Sequence, residues 1–172
     1  MAGTQRGSNI SFGTDGWRSY IAGDFTFDNV ALVGTAIVRY LDEEGLGSKP
    51  LLVGYDRRFG AELFGAHIST AMHAAGQPVL LFDAALPTPA VAYAVSHLGA
   101  AGAVMLTASH NPHTFQGLKF IPYYAGNYRP HHGNHTGAGS AVHAAATRTP
   151  VVRRDYLHSQ RVFCRAEQAG RP

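Results

Sequence analysis

The sequence predicts a layered α/β domain with a mainly parallel (mixed) sheet of about four strands, followed by an irregular basic tail. Three observations carry this expectation. Over the first 122 residues, apolar stripes at helical spacing alternate with short apolar runs of strand length. Such alternation is the pattern of strands linked by covering helices. From Tyr123 onward neither the helix period nor the strand period is sustained.

The elements follow in order. Val30, Val33, Ile37, Tyr40 and Leu41 line one side of a helix over 27–44. Thr26 or Asp28 can supply its N-cap oxygen, and Gly45 or Gly47 its stop. The run LLVGY at 51–55 ends at Asp56 and reads as a strand buried on both faces. Phe64, Ile68, Ala71, Met72 and Ala75 give a second helix over 61–75, ended by Gly76, and VLLF at 79–82 a second buried strand. Pro87 and Pro89 keep helix from starting before Ala90, except that Pro89 can sit in a first turn. Val91, Ala94, Val95 and Leu98 make the third helix, AVML at 103–106 the third strand, and 117–121 a fourth after a polar loop.

The chain has 172 residues, 45% hydrophobic and 15% charged. This suits a single domain with a sizeable core and excludes a wholly disordered chain. No apolar run approaches the ~20 residues of a membrane span, and the N-terminal MAGTQRGSNISFGTDG lacks the apolar centre of a signal peptide. A lone Cys164 excludes an internal disulfide framework and points to a reducing cytoplasm. The formal net charge of +3 invites a nucleic-acid reading until the chain is divided. Residues 1–122 hold 7 Lys and Arg against 9 Asp and Glu, whereas 123–172 hold 7 against 2. The basicity lies in the tail.

Chemistry is expected in the loop Thr107-Ala108-Ser109-His110-Asn111-Pro112-His113. In open α/β sheets ligands bind beyond the carboxyl ends of strands, where this loop stands. A serine beside His and Asn can carry a phosphoryl group once a base or the local geometry activates it. Taken alone, the loop reads first as a polar turn whose Ser and Asn satisfy backbone groups. The segment FGTDGWR at 12–18 sets glycines and a hydroxyl ahead of Arg18, a fork for phosphate oxygens, or else it is a Gly-rich turn with a solvated Arg. Asp56-Arg57-Arg58 faces either a site or solvent as an ion-pair cluster. Lys119 either orients phosphate and moves a proton or is a solvated lysine.

Together these segments resemble the α-D-phosphohexomutases, the phosphoglucomutase/phosphomannomutase group. TASHNP at 107–112 is similar to that family's phosphoserine loop, and FGTDGWR at 12–18, VGYDR at 53–57 and GLKF at 117–120 are similar to other segments of its first domain, in the same order. The resemblance spans about residues 9–126. It implies a three-layer α/β/α domain I in a cytoplasmic enzyme that interconverts hexose 1-phosphate and hexose 6-phosphate. Ser109 would carry the phosphoryl group, pass it to the sugar, and recover one from a bisphosphorylated sugar intermediate. His110 and Lys119 would transfer protons and position groups. Arg18, Thr107 and Asn111 would bind substrate phosphate. Mg²⁺ would touch Ser109 through its phosphoryl group, and a hexose bisphosphate would be the phosphorylating activator. The substrate partner would be a hexose phosphate, with no nucleic acid and no membrane, and further domains would cover one face of this one.

The family's D-x-D-x-D-R metal loop, its sugar-recognition loop and its second phosphate loop have no match in this sequence. The expectation is therefore a domain at 1–126 that, as a first-domain fragment, is inactive or barely active, plus a basic tail at 127–172. One allowed codon set for NYRPHHGNH at 127–135, read one base later, encodes TIDPTTEIT. That string has the P-x-x-E-I-T pattern of the family, so a frameshift near Gly126 would explain the tail, and translating the nucleotide sequence in its other frames tests this. His131, His132 and His135 lack the companion ligands of a zinc pattern. The rival functions are a noncatalytic interaction module with the same fold and a nucleic-acid binder acting through the tail.

Overall fold

The computed structural model describes residues 10–13 and 16–124. Thr14 and Asp15 of the Gly-rich segment lie outside these residues. So do the whole of the predicted tail, its histidines and Cys164.

Among the described residues eight elements follow one another: β1 (Trp17–Tyr20), α1 (Phe27–Glu43), β2 (Leu51–Tyr55), α2 (Ala61–Ala74), β3 (Val79–Leu81), α3 (Thr88–His97), β4 (Gly102–Leu106) and β5 (Phe115–Pro122). The strands form one sheet in the order β1-β5-β4-β2-β3. It is a mixed sheet. β2 pairs in parallel with both β3 and β4, while β5 pairs antiparallel with β4 and β1. β5 therefore runs against the other four strands. It must, because the loop at 107–114 holds no helix and is shorter than the dozen or so residues a parallel crossover needs.

The expected sheet of about four strands has five. The additional strand is β1, whose four residues at the sheet edge are too few to display alternation. The predicted fourth strand begins earlier, at Phe115.

The helices form as their sequences dictate. Thr26 caps α1, its hydroxyl accepting from the Asn29 amide at 3.3 Å. Asp28, the alternative cap, sits in the first turn, where a carboxylate favours the helix dipole. Pro89 occupies the first turn of α3, where a missing N–H costs nothing.

Packing makes three layers. Val30, Val33, Ile37 and Leu41 of α1, with Phe64, Ile68 and Met72 of α2, bury one face of the sheet against Leu51, Val53, Val104, Leu106 and Leu118. Leu52, Ala103, Met105 and Ile121 line the opposite face, covered by Val91 and Val95 of α3. Among the described residues a single helix, α3, packs on that side, against β2 and β4. No helix among the described residues is long and apolar enough to cross a membrane.

His67 of α2 packs edge-on against Phe27 with ring centroids 5.1 Å apart, and its Nε2 is buried without a hydrogen-bond partner. Burial holds its pKa below the ordinary 6.5, against weaker opposing effects of Asp28 and the Phe27 backbone. Above that value both folded and unfolded chains carry neutral His67, and it contributes no pH dependence. Below it the unfolded chain takes up a proton that the folded chain resists, so folding stability falls on acidification. Urea unfolding from about pH 7 to about pH 5.5 should show a steeper loss for the parent chain than for His67→Gln. Equal slopes would refute this account.

Candidate active site

The site is built by strand alternation. Trp17 and Leu118, paired across β1 and β5, point into the core beneath α1 and α2. Their neighbours Arg18 and Lys119 therefore point to the opposite side, the side on which α3 packs. β4 ends at Leu106 and the chain turns into the 107–114 loop, placing Thr107 and Ser109 beside them. A cleft of about 220 Å³ results, lined by Arg18, Thr88, Thr107, Ser109 and Lys119. Among the described residues two cations and three hydroxyls line it, with no carboxylate, so it favours an anion.

Ser109 is exposed and has φ +55°. A non-glycine residue in this left-handed region costs of order 1–2 kcal/mol, which the surrounding structure must hold in place. Several bonds do so. The Ser109 amide donates to Thr107 Oγ1 at 3.0 Å, and the Asn111 amide to the Ala108 carbonyl at 3.0 Å. The Thr107 amide ties the loop's base to the Gly117 carbonyl at 2.9 Å. His110 Nδ1 lies 3.4 Å from Ser109 Oγ, the long end of hydrogen-bond range.

Two glycines permit the close approach of β1, β5 and the loop. A Cβ on Gly117 would lie 2.5 Å from the Thr107 carbonyl oxygen and 2.9 Å from that of Trp17. Gly16 has φ +115°, and its Cβ would lie 2.5 Å from the Leu118 carbonyl oxygen. Only glycine lets the backbones meet this way.

Of the residues expected to act together, Arg18, Thr107, Ser109 and Lys119 share the cleft, and His110 stands beside Ser109. Asn111 is placed differently, since its side-chain Oδ1 accepts from Arg18 Nη1 at 3.1 Å. It holds the arginine and does not line the cleft. One participant escaped the sequence reading, and another was left between two roles. Thr88, the first residue of α3, reaches the cleft because the Leu86 amide bonds the Tyr55 carbonyl at 2.9 Å, bringing α3 to the end of β2. Arg58, read as site-facing or part of a surface cluster, lies under the loop with Asp56 Oδ2 3.6 Å from its Nε.

For Mg²⁺ the donor set does not fit. Among the described residues no group of three or more His, Cys, Asp or Glu could hold a metal ion. The cleft lining offers hydroxyls alone, short of the oxygen cage a hard cation takes.

Known proteins resemble this chain in sequence and fold. The profile of the family described as phosphoglucomutase/phosphomannomutase, alpha/beta/alpha domain I, matches residues 9–159. A phosphoglucosamine mutase of Xanthomonas euvesicatoria is 40% identical over 112 residues, covering 64% of this chain and 24% of that protein. The crystal structure of a putative phosphomannomutase from Thermus thermophilus superimposes with a TM-score of 0.71 and 36% identity, over 80% of this chain and 30% of that one. A phosphoglucomutase/phosphomannomutase family protein from Burkholderia thailandensis shares the fold at a TM-score of 0.61 and 19% identity, over 78% of this chain and 29% of that one. The chain thus matches about a quarter of the length of the curated relatives.

Proposed function

The chain belongs to the phosphoglucomutase/phosphomannomutase family through its α/β/α domain I, and from that premise we propose that Ser109 is the phosphoryl carrier of a hexose-phosphate mutase site. The observation that carries this reading is the strained serine, at φ +55°, opening onto a cleft lined by Arg18 and Lys119. Relatives are named for glucosamine and mannose phosphates, so the substrate class is a hexose phosphate. Hexose 1-phosphate and hexose 6-phosphate would interconvert through a bisphosphorylated sugar.

In the forward half-reaction the bond between phosphorus and Ser109 Oγ breaks as one forms to a sugar hydroxyl. The hydroxyl proton leaves, and Ser109 Oγ gains one. His110, 3.4 Å from Oγ, is the group within reach of that oxygen. Lys119 and Arg18 hold the transferring phosphate, and Thr107 and Thr88 offer it hydroxyl donors. Asn111 acts through Arg18. The other half-reaction returns the second phosphate to Ser109. No step is routed through a metal, because the described residues do not form a site for one. The described residues hold the carrier half of this chemistry, so the chain alone should accept a phosphoryl group without sustained turnover. The cytoplasm is the compartment this reading fits, and further domains would cover the cleft side of the sheet.

Incubation with hexose 1,6-bisphosphate and Mg²⁺, followed by intact-mass measurement and peptide mapping, tests the assignment. One phosphoryl group on Ser109 is expected. Label on another residue, or none, overturns it.

A further inference from the structure

We propose that Arg58 is a positioning residue that sets the Ser109 loop from beneath, without touching substrate. This rests on Ser109 being the phosphoryl carrier. The Arg58 side chain reaches the loop from the segment after β2 and is only 16% exposed. Its Nη2 donates to the carbonyls of Ser109 at 2.7 Å and Asn111 at 2.6 Å. Its Nη1 donates to those of Pro112 at 3.0 Å and Phe115 at 3.2 Å.

A guanidinium carries one N–H at Nε and a pair at each Nη. Both pairs are committed to loop carbonyls, and Nε faces Asp56. No donor is left for a substrate phosphate, which separates Arg58 from Arg18. Asp56 fixes the arginine's own backbone, its Oδ1 accepting from the Arg58 amide at 2.9 Å.

The arrangement has two consequences for Ser109. Four carbonyl dipoles that would otherwise turn their negative ends loose near an anion site converge on a cation and are neutralised. The Ser109 carbonyl is also anchored, and with its amide held by Thr107 Oγ1 both peptide planes of the residue are fixed. Those two planes define its φ and ψ. The left-handed conformation is thus held from both sides, and Oγ stays directed at the cleft. Lysine could supply the charge but not the planar fork, so it should restore the loop only in part.

The test compares the full chain with Arg58→Gln and Arg58→Lys in three measurements. Hydrogen exchange at the Ser109, Asn111 and Phe115 amides should quicken by about tenfold or more in Arg58→Gln, with α1 and β4 amides unchanged. The rate of Ser109 labelling by hexose 1,6-bisphosphate should fall by about tenfold or more, since pre-orientation is lost. Affinity for inorganic phosphate should stay within about threefold, because its ligands remain. Arg58→Lys should fall between, and it decides the matter if the glutamine variant does not fold. Unchanged loop exchange would overturn the proposal. So would a loss of phosphate affinity matching the loss of labelling, which would make Arg58 a phosphate ligand. If the parent chain takes no label, the carrier reading of Ser109 fails, and the exchange measurement still decides whether Arg58 sets the loop.

Discussion

Ser109→Ala should leave the chain folded and abolish its labelling by hexose 1,6-bisphosphate. In a polypeptide that also carries the family's remaining domains, mutase turnover should fall by about 10⁴-fold or more, the scale seen when a covalent carrier is removed. The stability half of the prediction follows from exposure. Among the described residues the Ser109 side chain has the 3.4 Å contact with His110 and no other hydrogen bond, while the backbone bonds that shape the loop survive the change. Ser109→Gly makes a sharper control. Glycine adopts φ +55° without the steric cost that serine bears, so this variant should be at least as stable as the parent and equally unable to take label. A serine in a glycine-favouring conformation is held there against its own preference. Near-parental labelling in either variant would end the carrier assignment.

How far this site could be read in advance depended on the range of the interactions that form it. The helices were legible because Val30, Val33, Ile37 and Leu41 mark a face within one continuous segment. β1 was not, since its four residues owe their strand conformation to pairing with β5, nearly a hundred positions away. The motif around Ser109 marked the reacting loop, and Arg18 and Lys119 followed from companion motifs. Their convergence is a property of the β1–β5 pairing, which sets Arg18 opposite Gly117 and Lys119 one step diagonal to it. Arg58 was opaque for a different reason. Its partners are main-chain carbonyls, which every residue has, so nothing in the side chains at 109, 111, 112 and 115 announces the contact. Asn111 is the reverse case. Its type suggested a phosphate donor, and the structure adds a contact that its type does not announce, its carboxamide oxygen accepting from Arg18.

The same alternation makes adjacent residues separable in experiment. Trp17 is 1% exposed and stacks on Phe25 with centroids 4.7 Å apart, whereas Arg18 turns into the cleft. Trp17→Ala removes the largest side chain in this part of the core and should cost about 3–5 kcal/mol, a substantial part of the about 5–15 kcal/mol typical of a whole domain. Arg18→Gln forfeits a partly buried hydrogen bond to Asn111 and should cost about 1–3 kcal/mol at most. Their effects on phosphate binding should rank the other way. Losing Arg18 removes one of two cations from the cleft, so affinity for inorganic phosphate should drop about tenfold or more even where the chain is fully folded. Losing Trp17 should lower the binding capacity of a sample only in proportion to the fraction unfolded. Urea unfolding and phosphate titration on both variants separate the two faces of β1. Were Arg18→Gln as destabilising as Trp17→Ala, the arginine would belong to the scaffold. Were the folded fraction of Trp17→Ala to bind phosphate as weakly as Arg18→Gln, the core behind β1 would have to be counted among the groups that orient the cleft.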